Sequence, residues 1–209
     1  MSFAYDLDAI RARLARELPR GLRDHCERVA AVAVVLASRH DLDPALAEAA
    51  ALLHDVARHL PGAEMLRRAR DYGVPVSPLD ERMPVLLHGP VGAETLRREW
   101  DVRDPRVLDA VWVHTFGREG MAPLDKLLFL ADKLDPRKDK RYPFNAQVRE
   151  RASADLDGAL LDWLTGELRR LVDAGAAVHP LMVAARNSLL LAHDASGLAR
   201  GVATGEEQV

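Results

Sequence analysis

Cysteine, aromatic residues and long apolar runs are all scarce in this chain. Cys26 is the single cysteine among 209 residues, so no disulfide can form within the chain, and we expect a reducing cytoplasm as its compartment. Only 5% of the residues are aromatic and alternating strand patterns are few, which disfavours a β-rich fold. The longest apolar runs, such as 127–131, are too short to span a bilayer, so we expect no membrane partner.

Positive and negative charges nearly balance. The net charge is -3 and the pI is about 6.2, so the composition gives no sign of a basic surface, and we expect no nucleic-acid partner. Hydrophobic residues make up 48% of the chain, which is long enough to bury one core. Because alanine and leucine dominate, the composition predicts an all-α, single-domain, compact helical bundle.

Helical periodicity and capping signals recur from one end of the chain to the other. Asp43-Pro44 and Asp104-Pro105 each place a capping carboxylate before a proline in the first turn of a helix. Between the prolines and glycines, the pattern predicts helices over 6–17, 22–40, 44–60, 64–71, 80–87, 91–100, 105–114, 123–134, 153–173 and 180–194. Residues 137–147 are predicted to form a basic connector.

Histidine and aspartate residues lie on the apolar faces of these predicted helices. His25, His54, His114 and Asp132 are spaced three, four, seven or eight residues from alanine, valine or leucine, so each points inward. A lone inward histidine is more often bonded to a backbone carbonyl, and a lone aspartate is more often a cap or half of an ion pair. This many together would need many separate partners, whereas one metal site satisfies them all.

The same residues set limits on the metal. Asp55 follows His54 at the inner edge of the helix, so its carboxylate can bridge two ions. Nitrogen and oxygen ligands without thiolates fit Fe, Mn, Zn or Mg, and they exclude a cysteine-rich structural zinc site. The sequence therefore predicts one or two transition-metal ions.

Longer stretches of the sequence resemble a known family. The order His…His-Asp…Asp is the signature of the HD phosphohydrolase superfamily. The stretches "AALLHDVARHLP", "LLHGPVGAETL", "AVWVHTFGREGMAPLDKLLFLADKLDPRK" and "AGAAVHPLMVAARNSLLLAH" are similar to its YqeK family. The resemblance covers roughly residues 20–193. It implies an HD-type helical bundle, a centre in which iron is favoured, and symmetric hydrolysis of diadenosine tetraphosphate or related dinucleoside polyphosphates to two ADP.

The resemblance also implies roles for individual residues. The positions that match the metal ligands are His25, His54, Asp55 and Asp132. His88 and His114 match further family histidines that bind either a second ion or phosphate. Nucleotide or phosphate contacts are expected from Thr115, Arg58, Arg137, Lys138, Gly175, Val178, His179 and Pro180. The expected catalytic group is a metal-bound water, with Asp55 as the bridging ligand.

Four segments and two rival functions follow from this interpretation. Residues 1–19 are predicted to be a helix that packs on the bundle, 20–135 the HD phosphohydrolase core, 136–194 helices that complete the domain and the nucleotide site, and 195–209 a flexible tail. The rivals are an HD-type phosphohydrolase of nucleoside or deoxynucleoside mono- or triphosphates, and a nucleotide-binding regulator. A homodimer is left open. Leu22 and Lys138 depart from the family pattern, which leaves substrate preference and rate open.

Overall fold

The computed structural model describes residues 5–203, and within that range every regular element is a helix. The helices are α1 (Leu7–Glu17), α2 (Arg20–Arg39), α3 (Pro44–Leu53), α4 (Gly62–Tyr72), α5 (Pro78–Arg82), α6 (His88–Glu99), α7 (Pro105–Val113), α8 (Pro123–Lys133), α9 (Asn145–Ala152), α10 (Leu156–Asp173) and α11 (Pro180–Ala203). The prediction of an all-α fold is confirmed.

Two of the predicted helix starts are formed by the expected caps. The Asp43 side chain accepts hydrogen bonds from the backbone N–H groups of Ala45 and Leu46 at the start of α3. The Asp104 side chain accepts from the N–H of Arg106 at the start of α7. In both cases the carboxylate satisfies an N–H group that has no partner within the helix.

The bundle is organised around α2, α3, α7 and α8. Helix α2 packs on α3 and α8, and α7 packs between α6 and α8. The four helices meet through leucine, valine and alanine side chains that form one continuous buried cluster. Helix α10 closes the far side of α8, where Trp163 meets the ring of Phe129 edge-on at a centroid separation of 5.3 Å. Alanine-rich faces let these helices approach closely, and this places their polar residues at one point.

The helices differ from the predicted ones where the polar residues lie. Helix α3 ends at Leu53, and turns continue over 54–59, whereas the pattern predicted a helix to residue 60. Helix α6 begins at His88, whereas the pattern predicted its start at residue 91. Gly89 and Pro90 lie in its first turn, where proline is tolerated. Part of the predicted basic connector is a short 3₁₀ turn, Pro136–Lys138, and α9 begins at Asn145 within its last residues.

The last helix extends beyond its predicted boundary. Helix α11 continues to Ala203, whereas the pattern predicted its end at residue 194. The alanine and leucine residues between 195 and 203 favour a helix in spite of the two glycines there. Residues 204–209 of the predicted tail lie outside the described residues, as do residues 1–4 of the predicted N-terminal segment. None of the helices in the described range is both long and apolar enough to cross a membrane.

Gly89 gives a test of the close contact between α6 and α7. A Cβ at this position would lie 2.9 Å from the carbonyl oxygen of Trp112 and 2.9 Å from Oγ1 of Thr115. We expect Gly89→Ala to lower the free energy of unfolding by about 1–3 kcal/mol, because the backbone of α7 has to move. Denaturant unfolding monitored by circular dichroism measures this.

The matched control is Gly21→Ala in α2, where a Cβ would meet nothing within 4 Å. This control should keep or slightly raise stability, because alanine favours a helix more than glycine does. Equal unfolding midpoints for the two variants would contradict the proposed contact.

Candidate metal centre

Four imidazoles and two carboxylates converge from five parts of the bundle. His25 lies on α2, His54 and Asp55 directly follow α3, and His88 begins α6. His114 directly follows α7, and Asp132 lies near the end of α8. All are buried except His25, whose side chain is 12% exposed. The residues grouped by the sequence pattern therefore meet in space.

Three of the histidines are held by the same local contact. Nδ1 of His54 lies 2.7 Å from the carbonyl oxygen of Ala51. Nδ1 of His88 lies 2.5 Å from the carbonyl of Val85, and Nδ1 of His114 lies 2.7 Å from that of Val111. A carbonyl oxygen can only accept, so each Nδ1 donates a proton to the residue three before it. Burial alone would lower the pKa of His54, but Asp55 and Asp132 raise it well above its ordinary value. In all three residues Nε2 lies within 3.5 Å of an Asp55 oxygen, and it carries the lone pair whenever the imidazole is neutral.

His25 is oriented by a carboxylate instead. Its Nδ1 lies 2.7 Å from Oδ2 of Asp135, and its Nε2 lies 3.0 Å from Oδ1 of Asp132. Arg28 donates from Nε and a terminal nitrogen to the two oxygens of Asp135, at 2.9 Å each. The Arg28 and His25 contacts lower the pKa of Asp135 to about 2, although burial alone would raise it. Asp135 is therefore ionised, and it presents Nε2 of His25 to the centre.

The Asp55 carboxylate lies between two groups of ligands. Its Oδ2 is 3.5 Å from Nε2 of His25 and 3.4 Å from Nε2 of His54. Its Oδ1 is 3.2 Å from Nε2 of His88 and 3.5 Å from that of His114. The ligand atoms of His25, His54 and Asp55 lie within 4.8 Å of one another, and so do those of Asp55, His88 and His114. Asp55 therefore contributes an oxygen to two overlapping groups of side chains, each of which could hold a cation.

Several polar atoms at this point lack protein partners. Within the described part of the chain, Nε2 of His54 and both carboxylate oxygens of Asp55 are buried and form no hydrogen bond. Leaving such atoms unpaired costs folding free energy, and a carboxylate costs the most. A bound cation would satisfy all three atoms together, and the mixed nitrogen and oxygen donors suit a divalent transition metal. The residues present therefore fit a metal.

The protein environment keeps both central carboxylates charged. Burial alone would raise the pKa of Asp55, but His54 and His114 hold it well below its ordinary value. Burial alone would also raise the pKa of Asp132, but Lys133 and Lys138 hold it well below its ordinary value. Burial lowers the pKa of His114 to about 3, which leaves this imidazole neutral. Two carboxylates and a neutral imidazole are the protonation states that bind cations.

Two lysines lie against the outer side of the centre. Nζ of Lys133 lies 2.8 Å from Oδ2 of Asp132, and Nζ of Lys138 contacts the other oxygen of the same carboxylate. Burial lowers the pKa of Lys133, whose Nζ also lies 4.9 Å from the centre of the Phe129 ring. A metal at Asp132 would compete with these ammonium groups, which could then bind an anionic ligand.

A pocket of about 320 Å³ opens onto this centre, and we call it the metal-facing pocket. Its lining includes His88, Asp132 and Thr115, together with the cationic side chains of Arg58, Lys133, Lys138 and Arg141. Tyr142, Trp163, Glu167 and Leu171 also line it. The pocket therefore combines metal-site residues, positive charge, and aromatic and apolar surface, which suits a phosphorylated organic molecule.

The other predicted nucleotide contacts divide into two groups. Arg58 lies with Nε 3.6 Å from Oδ2 of Asp55, and Oγ1 of Thr115 lies 3.5 Å from Nε2 of His88. His179 also lines the metal-facing pocket. By contrast, the structure places four predicted residues outside its lining: Arg137, Gly175, Val178 and Pro180. Arg137 is exposed, and in the segment 175–180 it is Ala177 and His179 that reach the pocket.

The sequence interpretation missed Lys133 and the pair of Arg28 with Asp135. A signal for Arg28 was present, because it follows His25 by three residues, and residues three apart share a helix face. Asp135 lies beyond the end of α8, where it caps the turn Pro136–Lys138, so helical periodicity could not place it. Lys133 follows Asp132 directly, and helical periodicity gave no reason to place its ammonium group in the site.

Known proteins resemble this chain in sequence and in structure. Residues 22–137 match the HD domain family. The symmetrical bis(5'-nucleosyl)-tetraphosphatase of Bacillus subtilis is 36% identical over 156 residues, which are 75% of this chain and 82% of that protein. The enzyme of the same name from Halalkalibacterium halodurans is 34% identical over 176 residues, or 80% of this chain and 88% of that protein.

A solved structure extends the likeness to the fold. The crystal structure of a Clostridium acetobutylicum protein, described as an HD superfamily hydrolase involved in NAD metabolism, aligns with a TM-score of 0.83 and 30% identity. The alignment covers 90% of this chain and 98% of that one. The similarity therefore includes almost the whole bundle.

Asp135 gives a test of how the centre is built. We expect Asp135→Asn to weaken metal binding about 10- to 100-fold, because the hydrogen bond that orients His25 loses its negative acceptor. Competition with a chelator, followed by metal analysis of the protein, measures the affinity. The control is Asp139→Asn, which removes the negative charge from an acceptor of Arg149 and Asn145 outside the ligand set. Equal metal affinity in the two variants would contradict the role of Asp135.

Proposed function

This chain belongs to the HD domain family, and on that basis we propose that it hydrolyses diadenosine tetraphosphate symmetrically to two molecules of ADP. The observation that carries the proposal is the Asp55 carboxylate, buried and unpaired between two groups of histidines beside a positively charged pocket. Relatives named for this reaction match most of the chain, and the stretches that carry the ligands lie within the matched family region.

Three overlapping groups of candidate ligands occur: His25, His54 and Asp55; His54, His114 and Asp132; and Asp55, His88 and His114. We propose that His25, His54, Asp55 and Asp132 would hold one ion, and that His88 and His114 with Asp55 would hold a second. A metal in such a site lowers the pKa of bound water and offsets the negative charge of a phosphate. We propose iron as the resident metal, since the resemblance favours it and the donors are nitrogen and oxygen.

The surrounding side chains would bind and orient the polyphosphate. Lys133 and Lys138 already contact a carboxylate, so their ammonium groups are placed to bind phosphate oxygens in its stead. Arg58 reaches the same region from the turn after α3, and Thr115 can donate its hydroxyl proton to a phosphate. The polyphosphate would then run across the centre, with charge neutralised along its length.

Product identification tests the proposed reaction. Metal-loaded protein should convert diadenosine tetraphosphate to ADP alone, because a cut at the centre leaves two equal halves. Chromatography of a time course separates ADP from the AMP and ATP of an asymmetric cut. Release of inorganic phosphate or triphosphate from nucleotides, without cleavage of the dinucleotide, would favour the rival HD phosphohydrolase. Binding without hydrolysis would favour the nucleotide-binding regulator.

Asp132→Ala should lose both bound metal and turnover.

Lys138 gives a test of phosphate binding. We expect Lys138→Met to lower kcat/KM by roughly 10- to 100-fold, since a charge-assisted hydrogen bond contributes about 1.5–3 kcal/mol. The metal content should stay unchanged, because lysine is not a ligand. Lys140→Met is the matched control, since Lys140 is exposed two residues away and lies outside the pocket lining. Equal kinetics for the two variants would count against phosphate binding by Lys138.

Two further expectations from the sequence stay proposals. We propose a cytoplasmic location, supported by the single buried cysteine, which needs no oxidising compartment. We also retain a homodimer as an alternative to a monomer, and sedimentation of the purified protein distinguishes the two.

A further inference from the structure

A second pocket lies beside the metal-facing pocket, and we call it the outer pocket. Its volume is about 410 Å³, and three residues, Leu86, Phe116 and His179, line both pockets. The two pockets therefore adjoin at these three residues, which we call their common wall. A ligand long enough to extend past this wall would occupy both pockets.

The wall belongs to the same chain segments as the metal ligands. Leu86 precedes His88 by two residues, and Phe116 follows His114 by two. The rings of Phe116 and His179 stack in parallel, with centroids 3.9 Å apart and planes inclined by 5°. Burial lowers the pKa of His179, which favours a neutral ring beside Phe116. The wall is thus a flat aromatic pair that begins close to the metal centre.

The lining of the outer pocket is mainly apolar and aromatic. Trp112 and Phe116 contribute rings, and Pro75, Pro90 and Leu181 contribute apolar surface. The volume lies in the range of roughly 300–1,000 Å³ that is typical of sites for small organic ligands. Aromatic side chains of this kind stack on nucleobases, because every base has a flat π-face.

One carboxylate in the outer pocket has an oxygen that forms no hydrogen bond within the described residues. Asp80 is 5% exposed, and its Oδ2 accepts hydrogen bonds from the backbone nitrogen of Ser77 at 2.8 Å and from its hydroxyl at 2.6 Å. Its Oδ1 lies 3.9 Å from Nε2 of His179, beyond hydrogen-bond distance. An ionised carboxylate can only accept, so this oxygen suits the amino group of a base such as adenine.

We propose that the outer pocket binds the nucleobase of the second nucleotide of the substrate, while the first nucleotide lies in the metal-facing pocket. The inference rests on the proposed function. A dinucleotide that is cut at the centre of its polyphosphate has a nucleoside on each side of the cut. A single-chain site for that reaction therefore needs two nucleoside positions flanking one metal centre, and the two pockets share a wall beside it.

Leu181 allows the outer pocket to be blocked without touching the centre. Its side chain is 46% exposed, and it lines the outer pocket alone of the two. We expect Leu181→Trp to lower kcat/KM for diadenosine tetraphosphate about ten-fold, mainly through KM. Hydrolysis of adenosine 5'-tetraphosphate, which has one nucleoside, should stay unchanged. The matched control is Leu191→Trp on the same helix, 70% exposed and outside both linings, which should change neither rate.

The proposal is overturned if Leu181→Trp affects both substrates equally or neither of them. Failure of the wild-type protein to cut the dinucleotide would instead overturn the proposed function. The pocket itself is then tested by equilibrium dialysis with ADP. Two ADP molecules bound per wild-type chain and one per Leu181→Trp chain support the second position. One ADP molecule bound in both proteins overturns it.

Discussion

The hydrogen bonds made by the imidazole Nδ1 atoms are the constraint on which the rest of this centre depends. His54, His88 and His114 each donate to the carbonyl three residues earlier, and His25 donates to Asp135. Each bond fixes the ring and leaves Nε2 facing inward. The four Nε2 atoms therefore lie close to the carboxylates of Asp55 and Asp132 before any metal binds.

Two of these bonds use carbonyls at the ends of helices. The last carbonyls of a helix lack N–H partners within it, so those of Ala51 and Val111 can accept from the imidazoles that directly follow α3 and α7. The carbonyl of Val85 accepts from the backbone N–H of His88 as well as from its Nδ1. The arrangement places charged and polar atoms inside an apolar bundle, which lowers the free energy of unfolding. The largest contribution comes from the two Asp55 oxygens, which are buried and form no hydrogen bond.

The two pockets beside the centre differ in the charge of their linings. The lining of the metal-facing pocket includes lysine and arginine side chains, which suit phosphates. The outer pocket carries rings and one free carboxylate oxygen, which suit a base. The Phe116–His179 stack lies between the two, so one aromatic pair can contact both halves of a symmetric ligand.

Local patterns in the sequence were enough to predict the all-α fold, the capped starts of α3 and α7, and the group of His25, His54, Asp55, His114 and Asp132 that the structure brings together. These predictions follow from local periodicity and from residue types that do not belong in an apolar core, whereas His88 was added by the family resemblance. The fold was needed to show which oxygen of Asp55 faces which histidines, that Lys133 and Arg28 lie beside the candidate ligands, and that Arg137 lies outside the lining of the metal-facing pocket. It also placed Ala177 and His179, but not Gly175 or Pro180, in the metal-facing pocket. Such contacts join helices far apart in the chain, and they depend on packing geometry, which periodicity within one helix does not specify.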